Sequence, residues 1–189
     1  MLQTFKNKII YLPLVLYPVV YAFSWFLFNR DFDVTVPPPS LREGSTHFLF
    51  VLTDRTTKAA YLVKHRNPFG DIYFRRHSGV TRLKRSRYNE LIQTVTAKPY
   101  MQAFMPAVRI YKGRVLWEYV ASAHELDSQK LGLSMEERRA IWAQVEHALT
   151  KLYEDGIIYG RMKRKHILVD REETKQRIIV IDWDTARYR

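Results

Sequence analysis

Two apolar runs near the C-terminus, HILVD at 166–170 and RIIVID at 177–182, constrain this chain more than any other feature. Each has a strand's length and is rich in branched aliphatic residues, and the REETKQ between them is turn-like, so they predict an antiparallel hairpin. The segment before them predicts a helix. Ser134 and Glu137 have capping-box spacing, Ile141, Val145, Ala148, Leu149 and Leu152 make one apolar stripe, and Gly156 stands just past the end. A polar loop, YGRMKRKH, joins helix to hairpin.

Upstream the pattern is mostly that of strands. THFLFVLT at 46–53 and AAYLVKH at 59–65 flank the polar DRTTK and predict a second hairpin. Val108 to Tyr111 and Val115 to Tyr119 flank KGR, where Gly113 suits a tight turn. Between Val80 and Ala97, Leu83, Leu91, Ile92 and Val95 recur at helical spacing among basic residues, which predicts a helix with one buried face.

The first thirty residues read differently. From Ile9 to Phe28 the chain runs IIYLPLVLYPVVYAFSWFLF, twenty residues without a charge, preceded by Lys6 and Lys8 and closed by Arg30. A helix of that length just spans a hydrocarbon core of about 30 Å. Tyr11, Tyr17, Tyr21 and Trp25 partly suit interfacial depths, and Pro13 and Pro18 are kinks that membrane helices tolerate. A single-pass membrane anchor over 1–33 is therefore expected, with PPPS in a stiff linker over 34–41 and a folded domain over 42–189. No small-residue cleavage site follows the apolar run, which disfavours a secretory signal; a buried helical hairpin of a soluble domain is the rival reading.

Charge narrows the partners. The 189 residues hold 31 Lys and Arg against 19 Asp and Glu, and residues 42–114 alone carry fifteen basic and four acidic side chains. Such a block attracts anions, and next to an anchor it favours a cytoplasmic domain in contact with anionic lipid. Nucleic acid is the weaker partner, because no recognised binding module accompanies the charge. With no cysteine, disulfides and thiolate metal sites are excluded.

The order of elements over residues 42–189 resembles the protein-kinase-like fold, an α+β fold of two lobes, here divided at about residue 119 into an N-lobe over 42–119 and a partial C-lobe over 120–189. Within it, GIIYGRMKRKHILVD and VIDWDTARYR resemble the loop and metal motifs of the lipopolysaccharide core kinases, which phosphorylate Kdo or heptose and read roughly HxDLxxxNILLD and IDFDRGR. The resemblance implies ATP, with or without Mg²⁺, as the cofactor. It implies that Lys64 and its helix partner Glu90 would hold the nucleotide phosphates, that the backbone of Glu118, Tyr119 and Val120 would meet the adenine, and that Lys163 would contact the transferred phosphate. Asp182 falls on the metal-binding aspartate, with His166 and Asp184 as weaker candidates.

The departures from that pattern are chemical. Arg161 stands at the catalytic aspartate, His166 at the metal-binding asparagine and Tyr159 at the first histidine of the loop. A guanidinium cannot serve as a base, and losing positioned acid–base catalysis costs on the order of 10²–10⁴ in rate. LREGST holds only Gly44, so a glycine-rich phosphate cover is missing. Only seven residues follow Asp182, so the C-lobe is expected to be truncated and completed by a protein partner. Arg161, Arg164 and Lys165 are candidates to clasp an anionic partner, whether nucleotide, acidic lipid or lipopolysaccharide. The favoured reading is a membrane-anchored pseudokinase without catalytic residues. An active atypical sugar kinase in which Asp184 or another carboxylate takes over the missing role, and a lipid-contacting subunit of a membrane complex, are the alternatives.

Overall fold

The computed structural model describes residues 18–36, 47–66, 83–172 and 175–189. It divides into two compact units, one of residues 1–81 with Leu116–Tyr119, the other of Arg82–Val115 with Val120–Arg189. Residues 82–115, expected in the N-lobe, cluster with the second unit.

The first unit is an antiparallel sheet with a helix on one face. Its strands are β1 (Phe32–Thr35), β2 (His47–Asp54), β3 (Ala60–Arg66) and the Leu116–Glu118 part of β5 (Arg114–Glu118). In an antiparallel pair, residues directly opposite share a face. Phe48 opposite His65, Phe50 opposite Val63 and Leu52 opposite Tyr61 therefore line one face, with Val34 of β1 beside Leu52. Helix α1, described over 18–28, covers that face. The Tyr21 ring meets Phe50, Phe28 meets Phe32 and His65, and Phe28, Phe32 and Phe50 are fully buried. Leu49 and Val51, on the other face, are buried too, which accounts for the unbroken apolar run in β2. The DRTTK turn is built by Asp54, whose carboxylate accepts the amide hydrogens of Thr56 and Thr57.

Two expectations change here. The last eleven residues of the uncharged run, 18–28, are a helix packed on a sheet, and Ser24, buried inside it, hydrogen-bonds His65 Nε2 at 2.8 Å. Among the described residues no helix is long and apolar enough to cross a membrane. Residues 9–17 lie outside the described residues. The boundary drawn between residues 33 and 34 also falls inside a strand, because β1 pairs with β2 from Phe32 to Thr35. An apolar run meets the same energetic demand in lipid or against a sheet, so composition alone could not separate the two. The PPPS linker lies outside the described residues.

The second unit holds α2 (Arg85–Thr96), α3 (Pro99–Gln102), β4 (Val108–Tyr111), β6 (His124–Glu125), α4 (Met135–Glu154), β7 (Ile157–Ile158), β8 (Ile167–Glu172), β9 (Lys175–Val180) and β10 (Arg187–Tyr188). The predicted capping box is present: Ser134 Oγ accepts from Glu137 N, and Glu137 Oε2 accepts from Ser134 N at 2.7 Å. Ile141, Val145, Ala148 and Leu152 are the buried stripe of α4. The turn between β4 and β5 takes positive φ at Lys112 and Gly113, as a two-residue hairpin turn requires. β6, β8 and β9 form one sheet, with Ile167 opposite Val180 and Leu168 opposite Ile179. Arg138 of α4 secures the segment leading into the helix by donating to the carbonyls of Leu126, Ser128 and Leu133.

Candidate functional site

The loop that carries the sequence motif is set by short strands on either side of it. β7 pairs with β10, Ile158 opposite Arg187, so the residues just before the loop are tied to those just after Asp182. Ile181 N donates to His166 O, which ties the far end of the loop to the end of β9. Between these ties run Tyr159 to His166 on one side and Asp182 to Thr185 on the other.

Three sequence-predicted positions come together there. His166, buried, places Nε2 3.3 Å from Asp182 Oδ2 and Nδ1 3.2 Å from the Tyr159 hydroxyl. The Tyr159 hydroxyl also donates to the Ile181 carbonyl, and its ring packs edge-on against Trp183 with centroids 4.7 Å apart. Burial, then the negative charges of Asp182 and Asp184, push the Tyr159 phenol well above its ordinary range, so it stays a neutral donor. Trp183 is buried and donates its indole N–H to Val180 O at 2.9 Å, so the tryptophan of DWD is a satisfied core residue.

Asp182 takes an unusual backbone conformation. Its φ of 66° and ψ of 49° lie in the left-handed region, which Asp tolerates better than most residues and which is often stored at functional positions. Gly160, at φ 106°, lets the two halves of the site touch. A Cβ there would overlap Thr185 Oγ1 and lie 2.9 Å from Thr185 Cβ and 3.2 Å from Thr185 O. Thr185 Oγ1 in turn donates to Tyr159 O at 3.2 Å.

A Mg²⁺ ion at Asp182 would have to displace the contact with His166. That ion takes hard oxygen ligands in a near-octahedral shell, whereas the carboxylate of Asp182 faces an imidazole nitrogen held in place by Tyr159. Among the described residues no group of three or more His, Asp or Glu side chains could hold a metal ion.

The remaining predicted positions are divided between the two units. Arg161, Lys163 and Lys165 are exposed on the loop. Arg164 is engaged at the surface, with Nη1 3.2 Å from Asp127 Oδ1 and its guanidinium 6.0 Å from the centre of the Trp142 ring. Asp184 is half-buried in the turn after Asp182. Lys64 lies on β3 opposite Leu49, and Glu90 is an exposed residue of α2; they belong to different units. Glu118 pairs with Tyr61 in the first unit's sheet. The Tyr119 amide donates to Ala60 O at 2.9 Å, so that amide is already committed, and the Val120 carbonyl accepts from Ala123 N. A mostly apolar groove of about 240 Å³ lies between α4 and the loop, lined by Trp142, Leu149, Tyr153, Gly160 and Met162 among others. It is smaller than the ~300–1,000 Å³ usual for small-molecule sites.

A model of the lipopolysaccharide kinase (Kdo/WaaP) family matches residues 75–189, more than half of the chain and all of this site. The chain belongs to that family. Among solved structures, a crystal structure of a kinase domain superposes with a TM-score of 0.56 at 14% sequence identity, covering 86% of this chain and 53% of the other. At that identity the likeness establishes the kinase-like α+β fold and nothing finer, and the chain spans about half the length of that kinase-domain chain. No curated protein matches the sequence.

Sequence reasoning singled out Tyr159, His166 and Asp182 but missed how they combine. The expected weak metal ligand, His166, is instead the bridge between Tyr159 and Asp182. The signal was available as a paired exchange: both the loop's first histidine and its asparagine are replaced, by residues whose phenol and imidazole suit each other. Gly160 was missed because both its φ of 106° and its close approach to Thr185, twenty-five residues away, are set by the tertiary structure.

Proposed function

We propose that this chain is a pseudokinase of the lipopolysaccharide kinase family, held at a membrane and acting as a regulatory or scaffolding subunit rather than as a phosphotransferase. The observation that carries the reading is the His166–Asp182 pair at 3.3 Å, where a kinase of this pattern needs its carboxylate directed at a metal ion. Arg161 supports it, since the position that would orient a substrate hydroxyl holds a permanent cation on an exposed loop. A nucleotide bound by this fold would meet its phosphates with Arg161, Lys163 and Lys165, charges that compensate phosphate without a divalent ion.

Phosphoryl transfer decides the matter. Purified full-length protein, given ATP and Mg²⁺ with lipopolysaccharide bearing unphosphorylated Kdo or heptose, is expected to transfer no γ-phosphate, while ATP raises its melting temperature equally with and without Mg²⁺. Transfer that disappears in Asp182→Asn, a change that keeps an amide oxygen and tolerates the left-handed backbone, would overturn the reading in favour of an active atypical sugar kinase.

A further inference from the structure

Helix α1 has two unlike faces. Tyr21, Ser24 and Phe28, spaced i, i+3 and i+7, turn toward the sheet: Ser24 and Phe28 are wholly buried, and the Tyr21 hydroxyl donates to Val34 O. Val19, Ala22 and Phe26, spaced i, i+3 and i+7, lie on the other side with Trp25 next to them, and Phe23 borders it, its ring edge-on to His65 with centroids 6.1 Å apart. There Val19 is 65% exposed, Phe23 49%, Trp25 51% and Phe26 74%. A helix on the surface of a water-soluble domain carries polar residues on its outer face, and this one carries none.

What covers that face can be argued from its surroundings. The uncharged run continues toward the N-terminus for nine more residues, IIYLPLVLY, and is bracketed by Lys6, Lys8 and the exposed Arg30. Aromatic rings on one side of a helix, within an uncharged run bounded in sequence by cations, match the headgroup boundary of an anionic bilayer, where rings sit among the acyl carbonyls and lysines and arginines meet lipid phosphate. A spanning arrangement of residues 18–28 is incompatible with the packing: it would strip the Ser24 hydroxyl from His65 and uncover Phe28 and Phe50.

We infer that α1 lies along the membrane surface, its inner face on the sheet and Val19, Phe23, Trp25 and Phe26 in one leaflet of an anionic bilayer. The inference rests on the membrane attachment proposed above and states its mode. Its test is flotation of the full-length protein with vesicles of 70:30 phosphatidylcholine and phosphatidylglycerol, followed by extraction with alkaline carbonate. Wild type is expected to float and to be released by carbonate. Val19→Ser/Phe26→Ser, which spares every residue of the inner face, is expected to partition on the order of a hundredfold more weakly, about tenfold per apolar side chain removed, with an unchanged melting temperature. Phe26→Glu, at the most exposed position, gives the same direction with one substitution. If wild type floats and both variants float equally well and resist carbonate, the attachment stands and the surface mode is overturned. If wild type does not float at all, both fail. A vesicle-free dimer that dissociates in the double variant would overturn the inference by making the face a contact between copies.

Discussion

Gly160→Ala is the sharpest probe of whether the loop and the Asp182 segment are locked together. An alanine at φ 106° adopts a backbone conformation that costs about 1–3 kcal/mol in a residue other than glycine. Its Cβ also overlaps Thr185 Oγ1, and rotating that hydroxyl away gives up its bond to Tyr159 O, worth about 1 kcal/mol. The 2.9 Å and 3.2 Å approaches to Thr185 Cβ and O remain even then. Together these put the loss at about 2–4 kcal/mol, a fall of about 4–16 °C in melting temperature for a chain of this length. Thermal melts of wild type, Gly160→Ala, Thr185→Gly and the double variant measure it. Because Thr185→Gly removes both side-chain atoms that the new methyl would meet, the loss in the double variant should fall short of the sum of the two single losses by at least about 1 kcal/mol. A Gly160→Ala protein melting within about 2 °C of wild type, or a strictly additive cycle, would refute the packing of Gly160 on Thr185.

Three other expectations follow from the same contacts. Ser24→Ala leaves His65 without its 2.8 Å partner inside the first unit and should cost about 1–3 kcal/mol in urea unfolding; an unchanged midpoint would mean that α1 does not hold this position. Tyr159 is held neutral by burial and by Asp182 and Asp184, so its native ionisation lies above the unfolded value of about 10. The stability it contributes is full below that value and is lost as pH rises above it, so wild type should show an alkaline loss of stability that Tyr159→Phe lacks, beside a constant penalty for the missing hydroxyl. Removing the Ser134 side chain breaks one arm of the capping box at α4, and Ser134→Ala should lower stability by about 1 kcal/mol, read as a drop of about 2–4 °C; no change would show that the cap is dispensable.

How much could be read in advance depended on the sequence separation of the partners. The capping box of α4, the Lys112–Gly113 turn and the β8–β9 hairpin are contacts between residues a few positions apart, and all were legible. Where a residue's role depends on a distant partner, the reading stopped at residue type. His166 was legible as a replaced asparagine, but its place between Tyr159 and Asp182 depends on β9 returning beside the loop through the Ile181–His166 hydrogen bond. The Tyr119 amide was read as open to an adenine because nothing local indicates that it donates to Ala60 O, on a strand almost sixty residues earlier.

The N-terminal run marks the division most clearly. Sequence determined that residues 9–28 carry no charge and must leave water, and that Arg161 cannot perform an aspartate's chemistry; both follow from side-chain identity alone. Only tertiary structure decided where the run's last part goes. Lipid and a sheet of phenylalanines reward apolar surface equally, and the one residue that tells them apart is Ser24, a polar group that needs a hydrogen-bond partner once buried. Its partner is His65, forty-one residues along the chain, brought near by β1, β2 and β3 pairing beneath the helix.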